Sequence, residues 1–232
     1  MNTRRLCLTM GAIALMSPAL AAPKPGSGIG ADQALRALLD GNRRYAAAKS
    51  QRPRQSAARR LTVAKGQHPM AIVIGCADSR VPPELLFDQG LGDLFVIRVA
   101  GNIVAPSQVG SVEFAAAKFG TRLVVVLGHS ECGAIAATLD EMTRPTEDQS
   151  RNLRSIVDRI RPSVAPLLAT ELARDRAALA RKATRANIRA SADHLRHGSE
   201  ILEQLILRSG LLVVGAEYSI ETGVVDFFDG VP

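Results

Sequence analysis

The chain has 232 residues, 47% of them hydrophobic and 22% charged, so apolar side chains are plentiful enough to close a core. This composition excludes a disordered chain, a collagen-like one and a repeat of charged helices, and three cysteines are too few for a disulfide-framework mini-protein. A net charge of +7 would suit an acidic partner, but with no tryptophan, two tyrosines and six phenylalanines the platforms for stacking bases are scarce, and no nucleic acid partner is expected.

Residues 1–21 read as an export signal. Arg4-Arg5 precedes an apolar run of about eleven residues, Leu6 to Met16, and Ala19 and Ala21 fit the small-x-small cleavage rule with cutting after Ala21. The run is too short for a hydrocarbon core of ~30 Å, so no stable membrane anchor is expected and the mature protein is placed outside the cytoplasm, in the periplasm. The paired arginines open the twin-arginine route for folded proteins beside the ordinary secretory one. Cleavage removes Arg4, Arg5 and Cys7, leaving two cysteines and 27 basic against 22 acidic residues, a net charge of +5. Residues 22–30, with Pro23, Pro25, Gly26 and Gly28, form a flexible lead-in, and residues 31–232 a single domain.

Ala34, Leu35, Leu38 and Leu39 recur at helical spacing and predict a helix over 31–48 with Asp32 near its N-terminus; a second is predicted over 56–64, after Pro53. Short apolar runs at 70–75, 94–99, 123–127 and 211–214 read as buried strands, with helices between them at 112–119 and 133–139. From 152 to 208 a helical period runs through Leu153, Ile156, Val157 and Ile160 and again through Leu195, Leu202, Leu205 and Ile206, broken once by Pro162 and Pro166. A last strand over 224–228 follows the turn Glu221-Thr222-Gly223 and pairs with the fourth. Continuous apolar strands alternating with helices predict an α/β fold. Its central sheet is mostly parallel, about four strands plus an antiparallel edge strand, and is flanked by helices.

The residues that carry chemistry follow the first and third strands. Cys76-Ala77-Asp78-Ser79-Arg80 comes after 70–75, and His129-Ser130-Glu131-Cys132-Gly133 after 123–127. Parallel strands place both segments at the carboxyl edge of the sheet. If the two strands are neighbours where the winding direction reverses, the segments share the crevice in which open α/β sheets bind ligands. Two thiolates and one imidazole suit tetrahedral Zn²⁺, and three protein ligands leave one position open, as in catalytic zinc sites. Two other readings stay open at this point. One is a Cys76–Cys132 disulfide, the default for two cysteines in an oxidising compartment. The other is a Cys132 nucleophile with His129 as base, which leaves Cys76 and the Asp-x-Arg without a role. Asp78 and Arg80 form either a surface ion pair of little consequence or a working pair beside a metal. In the second case Arg80 keeps Asp78 ionised through charge-assisted hydrogen bonds, and Asp78 orients a zinc-bound hydroxide or closes the fourth position.

The stretch Gly75-Cys76-Ala77-Asp78-Ser79-Arg80-Val81-Pro82-Pro83-Glu84 resembles the β-class carbonic anhydrases, as do Arg98-Val99-Ala100-Gly101-Asn102, Gly128-His129-Ser130-Glu131-Cys132-Gly133-Ala134 and Gly215-Ala216-Glu217-Tyr218. The resemblance runs from about Ala31 to Phe228. It implies reversible hydration of CO2 to bicarbonate and a proton by zinc-bound hydroxide. Cys76, His129 and Cys132 would be the zinc ligands and Asp78 and Arg80 the catalytic dyad, with Asp78 a fourth ligand in an alternative state. It also implies a substrate pocket built from Gln67, Phe95, Ala100, Phe114 and the backbone amide of Gly133. Phe114 stands where a tyrosine is common and reaches across a dimer interface. A homodimer or a tetramer of dimers is expected, its N-terminal helices packing on the partner. Some members carry an inhibitory bicarbonate site built with tryptophan, which this chain lacks. A related zinc hydrolase acting on CS2 or COS, and a non-catalytic zinc protein with Asp78 closing the site, would use the same residues. The remaining positive charge is read as solubility and local attraction of bicarbonate.

Overall fold

The structure, a computed structural model, describes residues 28–144 and 150–232; the expected export signal and residues 22–27 of the lead-in lie outside the described residues. Among the described residues five strands form one sheet: β1 (Ala71–Gly75), β2 (Leu94–Arg98), β3 (Leu123–His129), β4 (Leu212–Tyr218) and β5 (Val225–Asp229). Their order is β2-β1-β3-β4-β5, the first four parallel and β5 antiparallel to β4. The chain moves outward from β1 to β2, then returns past β1 to β3 and on to β4. The winding therefore reverses between β1 and β3, the two strands that end in Cys76 and His129.

Every residue of β1 and β3 is buried, which explains their uninterrupted apolar runs: both sheet faces are covered. Ala71, Val73, Leu123 and Val125 point into one core cluster, and Ile72, Ile74, Val124 and Val126 into the other, as the two-residue period of a strand requires. Expected to be fully buried, β2 is instead an edge strand, half-buried from Leu94 to Ile97.

Helices α1 (Ala31–Ala46), α2 (Ala57–Val63), α3 (Pro83–Leu86), α4 (Pro106–Lys118), α5 (Gly133–Thr143), α6 (Arg151–Val164), α7 (Arg176–His197) and α8 (Glu200–Ser209) complete the fold. α1, α5 and α6 cover one face through Leu38, Ile135 and Ile160, and α4 and α8 the other through Val112 and Leu202. Side-chain caps open several helices, among them Asp175, which accepts from the amides of Ala177 and Ala178 at 3.0 Å at the start of α7. Pro106 at the first turn sets a helical φ, so α4 begins six residues before the apolar period that announced it. Pro162 is tolerated in the closing turn of α6, and the break falls after Val164. A second, unexpected break at Gly198–Ser199 separates α7 from α8.

Of the N-terminal helices expected to pack on a partner, α1 has its apolar stripe buried in its own chain, with Ala34 and Leu38 at 0% exposure. Asn42 ties it down: its amide donates to the carbonyls of Leu86 (3.1 Å) and Gly223 (2.9 Å), and its oxygen accepts from the Val225 N–H (2.8 Å). A Cβ at Gly41 would stand 1.8 Å from the Phe87 carbonyl oxygen, so only glycine lets α1 seat this closely. In contrast, α2 buries none of its residues and leaves Leu61 70% exposed. Among the described residues no helix is long and apolar enough to cross a membrane.

Candidate metal centre

Cys76 follows β1 directly, His129 ends β3, and Cys132 immediately precedes α5. All three are buried, and their two sulfurs and an imidazole nitrogen lie within 4.8 Å of one another. Zinc bonds of ~2.3 Å to sulfur and ~2.0 Å to nitrogen set tetrahedral donors about 3.5–3.8 Å apart, so this set needs only a small contraction to hold the ion. His129 Nδ1 lies 2.8 Å from the Ser130 carbonyl, which can only accept, so in the neutral ring that binds a metal Nδ1 carries the proton and Nε2 the lone pair. That Nε2 is buried with no hydrogen-bond partner. A buried lone pair left over beside two thiols fits a metal ligand whose other nitrogen is oriented by a carbonyl.

Both cysteines are free, which sets aside the disulfide. The two thiols ionise very differently. The Cys132 hydrogen bond, helped by the nearness of His129 and by the amides of Asp78 and Gly101, overcomes burial and holds the Cys76 thiol well below its usual range. The same Cys76 neighbour, together with burial, pushes Cys132 far up. A Cys132 nucleophile with His129 as base would still leave Cys76, buried in the same cluster, without a role. Burial pulls His129 down, but Cys76 and the Ser130 carbonyl raise it overall.

The loop after β2 closes over this cluster. Residues 100–102 form a single tight turn with Gly101 at φ 70° and Asn102 at φ 43°, both left-handed. The turn aims the Gly101 N–H at Cys76 Sγ, 3.3 Å away. Side chains from α7 hold the turn from behind: Asn187 Nδ2 donates to the Gly101 carbonyl (2.8 Å) and Ser191 Oγ to the Asn102 carbonyl (3.2 Å). At the end of β2, Arg98 Nε donates to the Cys76 carbonyl at 2.9 Å, and its Nη2 bonds the Asp78 carbonyl.

Asp78 and Arg80 meet as a fork. The Arg80 backbone N–H and Nε each donate to Asp78 Oδ1 at 2.9 Å, and Nη2 to Oδ2 at 2.7 Å. Arg80 Nη2 also donates to the Glu131 carbonyl at 3.1 Å, linking the two motif loops. Held by Arg80, the Asp78 carboxyl ionises well below the usual carboxylate range. Its Oδ2 stands 3.9 Å from His129 Nε2, close to the cluster but outside the Cys-His-Cys set. Of the two arrangements expected for Asp78, the structure holds the one paired with Arg80.

Among the expected pocket residues, Ala100 opens the turn that carries Gly101, and Gly133 is the exposed first residue of α5, next to Cys132. The others lie elsewhere in a single chain. Phe95 packs with Phe114 and Phe119 on the opposite sheet face, ring centroids 6.3 and 6.1 Å away, and Phe114 is 52% exposed. Gln67 is exposed in the loop that leads into β1, so it sits at the edge of the sheet away from Cys76. The supporting residues Asn187 and Ser191, 111 and 115 positions after Cys76, escaped the sequence reading. The adjacent pair Gly101-Asn102, the two residue types that best tolerate left-handed backbone, was the one local signal of the turn they hold.

The fold and this donor set define an α/β protein with a centre fit to hold zinc. The sequence profile of the carbonic anhydrase family matches residues 71–225, and the chain belongs to that family, in its β class. It is 37% identical over 190 residues to carbonic anhydrase 2 of Mycobacterium tuberculosis, covering 82% of this chain and 89% of that one. It is likewise 37% identical over 203 residues to the carbonic anhydrase of Mycolicibacterium smegmatis, covering 83% and 91%. Among solved structures it is similar to the β-carbonic anhydrase CafA of Aspergillus fumigatus (TM-score 0.67, 26% identity, 85% and 92% covered). It is similar also to two tetrameric β-carbonic anhydrases of Sordaria macrospora (TM-score 0.66, 25% identity, 84% and 97% covered). The activity of this family is the hydration of CO2, with zinc as cofactor.

Proposed function

We propose that Cys76, His129 and Cys132 hold the zinc on which this chain hydrates CO2 to bicarbonate and a proton, and that Asp78 and Arg80 are the catalytic pair beside it. The observation that carries the assignment is the buried, unpartnered Nε2 of His129 within reach of two free thiols. Zinc at such a site lowers the pKa of a water molecule and so supplies a nucleophile near neutral pH. The protein's part is positioning. Arg80 occupies both Asp78 oxygens, which keeps the carboxylate an ionised acceptor, fixed in direction, ready to orient a water's proton. CO2 is small and uncharged and gains little from contacts, so most of the advantage comes from placing it. Ala100 gives an apolar wall, and the Gly133 amide, at the positive end of α5, faces a developing oxygen charge.

The working form we propose is a homodimer or a tetramer of dimers. Support comes from the half-buried edge strand β2, the exposed Phe114 beside it and the uncovered α2. Gln67 and Phe114, remote from the cluster in their own chain, would serve the site of a second copy. We further propose export to the periplasm with cleavage after Ala21, supported by Arg4-Arg5, the apolar run and the small residues Ala19 and Ala21.

Metal content and stopped-flow CO2 hydration measured on one purified sample test the assignment. About one zinc per chain is expected, with activity and metal both lost in Cys76→Ser and His129→Ala. A zinc-free Cys76→Ser that still hydrates CO2 at the parent rate would overturn it. COS and CS2 assayed beside CO2 expose any different substrate preference, and inactivity at every pH in a zinc-replete protein would mark a closed, non-catalytic site. The N-terminal residue of protein recovered from cell fractions reads out export.

A further inference from the structure

We propose that Asn187 is a positioning residue for the zinc centre. From α7 it fixes the Gly101 residue so that the Gly101 N–H stays on the Cys76 sulfur, trimming the charge this sulfur donates to the metal. The inference rests on Cys76 being a zinc ligand and concerns how that ligand is tuned.

The buried face of α7 is otherwise formed by Leu179, Ala183, Ile188, Ala192 and Leu195, together with Thr184, whose hydroxyl donates back to the Ala180 carbonyl of its own helix. Asn187, 2% exposed, and Ser191, 6% exposed, interrupt it one helical turn apart. A primary amide buried in such surroundings is costly unless it is hydrogen-bonded. Its Nδ2 meets the Gly101 carbonyl at 2.8 Å, while Ser191 meets the next carbonyl along, that of Asn102. Glycine has the widest backbone freedom of any residue, and Gly101 needs a fixed conformation because its own amide is the donor to Cys76 Sγ at 3.3 Å. Packing constrains the turn from the other side, since a Cβ at Gly101 would stand 2.8 Å from Ile160 Cδ1. The chain of contacts is therefore continuous: Asn187 side chain, Gly101 carbonyl, Gly101 amide, Cys76 sulfur.

The chemistry gives this chain of contacts a purpose. Two thiolates donate more charge than two imidazoles would and by themselves leave the metal less electrophilic. A hydrogen bond to a ligand sulfur draws charge back from it and raises the energy of its charge-transfer transition. Without the Asn187 anchor, Gly101 keeps its packing against Ile160 but loses the bond that fixes its carbonyl, so its N–H is held less firmly on the sulfur and the sulfur donates more.

The test uses the Co²⁺-substituted and Zn²⁺-loaded full chain. In Asn187→Leu, which keeps the side chain's approximate size and removes the donor, the sulfur-to-cobalt charge-transfer band is expected to move to longer wavelength. Zinc affinity, from competition with a chromophoric chelator, is expected to fall by at least about tenfold, because losing the fixed orientation of the ligand loop outweighs the stronger donation by the sulfur. Asn187→Gln, which retains an amide donor, should recover part of both, and Ser191→Ala should move the band less than Asn187→Leu. In the wild-type protein loaded with ¹¹³Cd, the Gly101 amide proton should show scalar coupling to the metal, a readout that does not depend on any variant folding. A folded Asn187→Leu with the parent band and parent affinity overturns the proposal, as does absence of the Gly101 coupling. Failure of the underlying site assignment looks different: the charge-transfer band would keep its parent position and full intensity in Cys76→Ser, whereas a true Cys76 ligand leaves at most the share contributed by Cys132.

Discussion

Replacing Gly101 with alanine probes the centre with a single methyl group. At φ 70° an L side chain costs about 1–2 kcal/mol. The new Cβ would lie 2.8 Å from Ile160 Cδ1 and 3.0 Å from Ala134 Cβ, where relaxed carbon contacts sit at ~3.5–4.0 Å. Ile160 is at 0% exposure and has no solvent to move into, so opening this gap is overpacking of a closed core, worth about 1–3 kcal/mol. Both penalties are relieved by the same backbone shift and do not add in full. The expected loss of unfolding free energy is therefore about 2–4 kcal/mol, equivalent to about 4–16 °C in Tm for a chain of this size. Urea unfolding followed by circular dichroism, on zinc-loaded and chelator-treated protein, measures it. Gly133→Ala is the matched comparison: its added Cβ meets nothing within 4 Å, and the position opens a helix. That variant should be neutral or stabilised by up to about 1 kcal/mol. A Gly101→Ala protein within about 0.5 kcal/mol of wild type, the range of an inert surface change, would refute the packing argument.

Three further outcomes are expected. Asp78 is depressed from an ordinary 3.8 by Arg80. The stability this pairing contributes is therefore present above the ordinary value and lost only as pH falls through the folded one. The ¹³C resonance of its carboxyl should stay flat from pH 5 to well below 3.8 and titrate higher in Arg80→Gln; a wild-type midpoint near 3.8 contradicts the fork geometry. Arg80→Lys keeps the charge but loses the two-pronged donor. CO2 hydration should drop about 10²-fold while zinc stays stoichiometric, and a parent-like rate would remove Arg80 from the catalytic pair. Phe114→Glu puts a charge on the exposed aromatic patch, and sedimentation should show a smaller assembly with weaker CO2 hydration; unchanged mass would dissociate Phe114 from the interface.

Much of the sheet could be read directly because β1, β3 and β4 are covered on both faces, and such strands announce themselves as apolar runs with no alternation. The same rule misled at β2: Leu94-Phe95-Val96-Ile97 has the composition of a central strand but stands at an edge. Its apolar character reflects a surface left uncovered in the single chain. Cys76, Asp78, Arg80, His129 and Cys132 were legible because each lies within five residues of a strand end, which put both segments at the carboxyl edge of the sheet; the motif resemblance joined them into one site, and the β1–β3 pairing makes the two segments neighbours. Asn187 and Ser191 were not, because a buried polar residue on a helix leaves no periodic signature and its partner is 86 or more positions away. The short α3 and the polar first turns of α4 were invisible for a related reason: proline geometry starts them, not hydrophobic spacing.

Cys76 and His129 stand 53 positions apart and become neighbours only when β1 and β3 zip together. Before that, the chain offers a metal just the local His129–Cys132 pair, half of a chelate. Pairings of such long range form late and slowly, so capture of the ion waits for closure of the sheet. The ion therefore finds its full set of donors only where the chain is already folded. Under the export proposed above, a chain threaded unfolded would have to load its zinc on the far side, whereas one moved already folded could load it on either.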